Sequence, residues 1–333
     1  PITLLRGVQD VEEYGVVISD GNAEEVILSD EEGSMTVEGL TPNTSYAYRG
    51  YAKAPAGVFY GREEQFKTIT LKGEGTKESP FLISDENDLV ALSNEVDAGN
   101  TFKGCHILLS NDLCLTNAFP PIGIADYDGT PMKVFEGVFD GNGKSITELR
   151  IQQWEVIDPN CGAYIYGGGL FGCIGRNGVV KNLTVECSGF DVHTVTGGYI
   201  GFVVATNHGL VTNCRTSVSD TFNSNCDLGS RNSYIRHWGG IAGRNYGNIV
   251  SCEFRGMVKL YSPESGGIAG CNCGLIKGCI NYGDFYVTGG GTIGGISGET
   301  LQGTTHPFHD DRTYIASIED CINYGTISAN GEY

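Results

Sequence analysis

Long apolar runs are absent from this 333-residue chain: no stretch of 18 apolar residues exists, so no segment reads as a transmembrane helix. Positive charge is scarce as well. Lys and Arg number 21 against 40 Asp and Glu, a net charge of −19. An acidic chain repels a phosphate backbone, which argues against nucleic acid as a partner. The deficit is uneven, with 19 acids and 7 bases in residues 1–100 and 21 and 14 in the rest. Only six histidines occur, His106, His193, His208, His237, His306 and His309, and none is followed by Glu. The His-Glu-x-x-His pair of a zinc peptidase is therefore missing. No Ser-His-Asp or Gly-x-Ser-x-Gly arrangement stands out, and Glu186, Asp191, Glu253, Asp284 and Glu319 do not recur at matching positions as a glycosidase pair would need. No enzyme and no cofactor are expected.

Glycine is in excess: 50 residues, about twice the usual share of roughly 7 %. With abundant Val, Ile, Thr, Tyr and Asn, it describes strands joined by tight turns. The expected class is all-β. Residues 1–70 alternate in short runs, Ile2–Leu5, Tyr14–Ile18, Ser34–Val37, Ser45–Tyr48 and Gly57–Tyr60, the pattern of a small antiparallel β-sandwich. Residues 71–79 are polar, break the alternation and read as a linker to a second domain over 80–333. One helix is expected near residues 85–98: Ser84 or Asp85 can cap it, Leu89, Leu92 and Val96 line one face, and Gly99 ends it. It is placed to cover the open end of the second domain's first hydrophobic rung.

From residue 168 the sequence repeats itself. Gly168-Gly-Leu-Phe-Gly172 recurs as Gly197-Gly-Tyr-Ile-Gly201, Gly239-Gly-Ile-Ala-Gly243, Gly266-Gly-Ile-Ala-Gly270 and Gly294-Gly-Ile-Ser-Gly298. A second phrase comes after each, Asn177-Gly-Val-Val-Lys-Asn-Leu183, then His208–Cys214, Tyr246–Cys252 and Cys273–Cys279, and the fifth copy keeps Ile318-Glu-Asp-Cys321. Such a period in β-formers and glycine predicts one solenoid turn per repeat, with equivalent residues about 4.8 Å apart. Gly169, Gly198, Gly240, Gly267 and Gly295 are then expected in one column where a Cβ would clash. Leu183, Cys214, Cys252, Cys279 and Cys321 are expected in an inward column of reduced thiols, because a small hydrophobe stacks well there and parallel side-chain vectors suit a disulfide poorly. Cys271 and Cys273 share one strand face, but no third and fourth metal ligand stands at finger-like spacing.

Candidate binding residues fall in two insertions. The first, within Ser217–Trp238, supplies Arg231, Tyr234, Arg236, His237 and Trp238. These groups suit stacking on sugars or peptides, or, on the plainer reading, fold back over the coil. The second, within Glu299–Ala316, supplies His306, Phe308 and His309 beside Asp310 and Asp311, which have metal-ligand chemistry and read equally as solvated surface. Asp126 and Asp128 have calcium-ligand chemistry but no ligand loop. The insertions leave the repeat at different phases, so they are not expected to build one site.

Two resemblances extend this reading. Gly39-Leu-Thr-Pro-Asn-Thr-Ser-Tyr46 resembles the L-x-P-x-T-x-Y signature of fibronectin type III domains, which implies a β-sandwich with Tyr46 as its corner tyrosine. The Gly-Gly-Leu-Phe-Gly and Asn-Gly-Val-Val-Lys-Asn-Leu phrases, led by Phe135–Leu149, resemble the GLUG motif of bacterial surface proteins over about residues 75–333. That resemblance implies a right-handed parallel β-helix (β-solenoid) with its capping helix, export, and an outer-membrane cell-surface location with a lipid anchor upstream. It also implies a non-catalytic adhesion module recognising an extracellular glycan or protein, monomeric or joined end to end with further repeats. The chain opens at Pro1 inside an expected strand, which fits removal of an export signal. A spacer in a surface or fimbrial assembly and a polysaccharide-active enzyme are the alternatives.

Overall fold

Strand formation dominates, as the composition requires. The computed structural model describes residues 11–28, 37, 40–41, 44–125, 130–152, 156–157, 164–165, 167–191, 196–219, 234–261, 264–288, 291–301, 305–306, 310–313 and 315–330. The chain divides into two units, Pro1–Lys72 and Gly73–Tyr333.

In the first unit four strands form an antiparallel sheet in the order Glu24–Leu28, Glu13–Ser19, Ser45–Ala54, Gly57–Lys67. Val16, Val17 and Ile18 are buried. Tyr46 is buried as well: its phenolic oxygen accepts a hydrogen bond from the Thr41 backbone N–H at 3.0 Å, and its ring stacks on Phe66 at 5.7 Å. Glu24–Leu28 carries no alternating signature, because its residues are mostly exposed. The strand expected at Ile2–Leu5, and residues 34–36 of the one expected at Ser34–Val37, lie outside the described residues.

The second unit opens with the strand Phe81–Ile83 and the helix Glu86–Asp97. Asp85 caps the helix by accepting from the Asp88 N–H at 3.0 Å, and the Asp88 carboxylate accepts in return from Ser84 N–H at 2.9 Å. Leu89, Leu92 and Val96 are buried, the helix contacts Phe81–Ile83, and Gly99 takes a φ of 102° where the chain turns away. Among the described residues no helix is long and apolar enough to cross a membrane.

Five parallel ladders come next: four gain one strand per repeat, and a shorter fifth stacks Met257–Tyr261, Asp284–Thr288 and Ile327–Asn330. Ladder one stacks Phe81–Ile83, His106–Leu109, Val138–Asp140, Val179–Lys181, Leu210–Thr212, Asn248–Val250, Leu275–Lys277 and Ser317–Glu319. Ladder two carries Ser145–Gln152, Thr184–Asp191, Arg215–Val218, Glu253–Arg255, Ile280–Asn281 and Ile322–Asn323. Ladder three carries Gly167–Gly168, Thr196–Gly201, Tyr234–Gly239, Glu264–Gly266 and Ile293–Gly294. Ladder four carries Phe171–Ile174, Val204–Asn207, Ala242–Asn245, Ala269–Asn272 and Ser297–Thr300. The core is built of columns, such as Ile107, Phe139, Val180, Val211, Ile249 and Ile276 in ladder one.

Backbone geometry explains the repeated phrases. Between ladders one and two the chain turns through a left-handed residue in each rung: Asn182, Asn213, Ser251, Gly278 and Asp320 have φ of 51–61°. Asn, Asp and Gly tolerate that region best. Directly after them come Leu183, Cys214, Cys252, Cys279 and Cys321. Cys214, Cys252 and Cys279 are buried and, like Cys321, free thiols; the Cys252 N–H donates to the Cys279 sulfur and the Cys279 N–H to that of Cys321, each at 3.4 Å. A third column is made of buried amides. Asn207 donates to Asn245 and Asn245 to Asn272, each at 2.8 Å.

The glycine column differs from the one the phrases implied. Gly201, and not Gly197, stands beside Gly239, so Gly198 pairs with Ile235. Gly239, Gly266 and Gly294 are partners in successive rungs, and Gly240, Gly267 and Gly295 come directly after them. Phe202 holds the place in the second repeat that Gly240 holds in the third, while Gly169 adjoins the Gly201 carbonyl. The second copy is thus displaced by four residues: spacing alone aligned two glycine pairs that the hydrogen bonds do not.

Candidate functional site

Four of the residues singled out in the first insertion lie on a strand. Arg231 lies outside the described residues, whereas Tyr234, Arg236, His237 and Trp238 belong to the ladder-three strand Tyr234–Gly239. Trp238 is fully buried, with its ring centroid 5.6 Å from Phe202, 5.6 Å from Phe254 and 5.4 Å from Phe285. It is a core residue and offers no platform to a ligand, and His237 is only 2 % exposed. In the second insertion Thr305–His306 pairs antiparallel with Asp310–Thr313, which sets His306 opposite Asp310 and includes Asp311. Phe308, His309, Asp126 and Asp128 lie outside the described residues.

An exposed face of ladder two gathers groups that the insertions do not. Arg215 and Glu253 are register partners and form an ion pair at 3.2 Å; Arg255 reaches the same carboxylate oxygen at 3.0 Å. The Arg255 guanidinium lies 4.0 Å over the Tyr282 ring. Tyr282 in turn stacks on Tyr324 with centroids 5.3 Å apart and planes 14° from parallel, and Tyr324 is 64 % exposed. Beside this strip a groove of about 340 Å³ is lined by Thr184, Arg215, Thr216, Ser217, Glu253 and Arg255. Its sequence signal is the phrase Ile-Asn-Tyr-Gly, present at 280–283 and again at 322–325. The Asn of that phrase is held within ladder two by a side-chain hydrogen bond, Asn281 Nδ2 to Asn323 Oδ1 at 2.7 Å, which puts the following Tyr on the outside.

A second, buried cluster lies between ladders three and four. The two backbones approach so closely that a Cβ on Gly270 would sit 2.5 Å from the Trp238 nitrogen and 2.8 Å from the His237 carbonyl carbon, so only glycine fits. His237 stacks on Tyr199 of the rung before, centroids 5.3 Å apart. Facing it, Arg244, Cys271 and Glu299 are register partners in three successive rungs of ladder four. His237 Nε2 is 3.5 Å from Glu299 Oε2, and the ligand atoms of His237, Cys271 and Glu299 all lie within 4.8 Å of one another.

The surroundings of this cluster are polar and ordered. Arg244 donates to the Tyr199 hydroxyl at 3.1 Å and lies over the rings of Tyr199 and Tyr246, at 5.3 and 5.0 Å. The Cys271 and Cys273 sulfurs are 3.9 Å apart. The hydrogen bond from Cys271, with Arg244 beside it, holds the Cys273 thiol below its ordinary value against the cost of burial. That same bond, together with burial, pushes the Cys271 thiol up. Leu301 packs against Tyr246, Cys271 and Cys273. Reading along the chain finds only Cys271 and Cys273; the other two donors arrive from the preceding and following rungs, and only the register reveals them.

No family model matches the chain, and no solved structure matches it. Two curated proteins are similar to parts of it. One, from Evansella cellulosilytica, is named as a Gly-rich membrane protein and is 32 % identical over 174 residues, covering 51 % of this chain and 17 % of that protein. The other, halomucin of Haloquadratum walsbyi, is 31 % identical over 166 residues, 47 % of this chain and 2 % of its own length. The chain therefore spans less than a fifth of either relative.

Proposed function

We propose that this chain is a non-catalytic, glycan-binding segment of a cell-surface protein, built as a right-handed parallel β-helix that follows a fibronectin type III-like domain in sequence. The parallel register of the five ladders supports the solenoid, and the Thr41–Tyr46 bond supports the corner of a fibronectin-like sandwich. The names of the two relatives support a surface location. One observation carries the binding role: the column of Arg255, Tyr282 and Tyr324 lines up a guanidinium and two ring edges across successive rungs and ends on the exposed ring of Tyr324. Aromatic faces stack on the apolar faces of sugar rings, and Arg forks bond hydroxyls and carboxylates. Trp238 has no part in it.

A glycan array probed with the wild-type chain, followed by titration of the hits into Tyr324→Ala and Arg255→Ala, tests this. Binding at least about tenfold weaker in each variant is expected, with melting unchanged, because both residues sit on the exposed face. A wild-type chain that binds no glycan, or binding that both variants leave intact, overturns the reading. A second reading, a spacer within a much longer chain, is favoured by the small share of each relative that the match covers.

A further inference from the structure

The buried cluster between ladders three and four takes no part in the exposed strip, and its chemistry is different. Nitrogen, sulfur and oxygen ligands come together from three successive rungs, His237 on Tyr234–Gly239, Cys271 on Ala269–Asn272 and Glu299 on Ser297–Thr300. A mixed imidazole, thiolate and carboxylate set suits a borderline-soft ion and excludes calcium and magnesium, which take oxygen. Tetrahedral zinc, with bonds of about 2.0–2.3 Å, holds its ligand atoms about 3.3–3.8 Å apart. His237 and Glu299 already meet that spacing at 3.5 Å, and no separation in the trio exceeds 4.8 Å. The Glu299 side chain is 39 % exposed, so it has room to rotate inward and close the remainder.

We propose that His237, Cys271 and Glu299 bind a zinc-class divalent transition ion that clips three rungs of the stack together.

Charge supports the assignment. The Cys271 thiolate and Glu299 carboxylate supply two negative charges against the two of the dication, which lowers the cost of burying it. Tyr199 stacked on His237 fixes the imidazole orientation, the task of an outer shell around a metal. On binding, the S–H bond of Cys271 breaks, its sulfur bonds the ion and its proton leaves to solvent. Affinity therefore rises with pH until that proton is gone.

The test titrates the full 333-residue chain, kept reduced, with Co²⁺ as the probe and then displaces it with Zn²⁺. One equivalent is expected to give a thiolate-to-cobalt charge-transfer band in the near ultraviolet, which Zn²⁺ bleaches. Cys271→Ser is expected to abolish the band, and His237→Gln and Glu299→Gln to weaken binding by at least about tenfold. Cys252→Ala, in the thiol column elsewhere, is expected to keep it. No band from wild-type protein with native circular dichroism overturns the proposal, as does a band that survives Cys271→Ser. Should that variant fail to fold, Glu299→Gln decides, since its side chain reaches solvent: unchanged affinity in folded Glu299→Gln overturns the proposal equally.

Discussion

The side-chain amide of Asn245 donates to the Asn272 oxygen at 2.8 Å, and both residues are completely buried. Asn207 donates in turn to Asn245, so the Asn245 amide both gives and accepts along the stack. Removing the middle member breaks the hydrogen bonds to Asn207, Asn272 and the Leu275 carbonyl, at about 0.5–1.5 kcal/mol each. Asn245→Ala is therefore expected to lower unfolding free energy by several kcal/mol in a denaturant titration. Asn323→Ala, at an exposed position in the separate Asn281–Asn323 pair of ladder two, is expected to cost far less. Equal losses at the two positions would show that burial of the ladder-four amides adds nothing to their worth.

Trp238 fills space among Phe202, Phe254 and Phe285. Trp238→Ala should cost about 3–5 kcal/mol, seen as a large drop in midpoint, and Trp238→Phe clearly less. A Trp238→Ala chain as stable as wild type would contradict the core placement.

Glycines in the repeat are not equivalent. Gly270→Ala drives a Cβ into the backbone of the neighbouring ladder, which has no flexible end to yield, and insoluble or unfolded protein is expected. At Gly278, with φ 61°, the nearest atom to an added Cβ is Ser251 Oγ at 3.7 Å. Asn213 adopts nearly the same conformation at the matching turn of another rung, so Gly278→Asn is expected to change stability by less than about 1 kcal/mol. Comparing soluble yield and melting of the two variants checks both.

Burial pushes the Cys252 thiol well above its ordinary value, which keeps it protonated and unreactive, while Cys114 is exposed. Brief alkylation of native protein followed by peptide mass analysis should find Cys114 modified and Cys252 untouched until denaturant is added. Labelling of Cys252 at the rate of Cys114 would rule out the packed column.

Acid should weaken the stack at Asp140. Burial alone would raise this carboxyl, but hydrogen bonds from Asn182 Nδ2 and the Asn142 N–H, each 2.9 Å, and the Lys181 ammonium hold it below its ordinary value. A depressed folded-state pKa means the contribution is complete above the unfolded value near about 3.9 and is lost as pH falls through the folded one. Melting curves from pH 6 to 2 should decline less steeply for Asp140→Asn than for wild type, and parallel curves would refute the assignment.

Local signals were readable where neighbours in sequence decide the outcome. The helix is one case, since Asp85, Leu89, Leu92, Val96 and Gly99 act within a few residues of each other. Asn207-His-Gly209, Asn245-Tyr-Gly247 and Asn272-Cys-Gly274, by contrast, gave no hint along the chain that their amides would join. Gly198 failed as a column member because a strand can slide by whole residues beneath a repeated phrase, and only ladder hydrogen bonds select the register. Trp238, read as a stacking group for a ligand or as folded back over the coil, was drawn inward because it belongs to a strand that pairs on both sides.

By itself the sequence determined the composition of strands and turns, the one helix, and a repeat whose copies must occupy like positions, because those depend on side-chain size and backbone preference within each segment. Tertiary structure alone decided which residues of different repeats face each other: Arg255 over Tyr282, Tyr282 on Tyr324, and His237 beside Cys271 and Glu299. Such meetings depend on stacking register across some thirty residues or more per rung, and a shift of a single residue would send every one of these side chains to the opposite face.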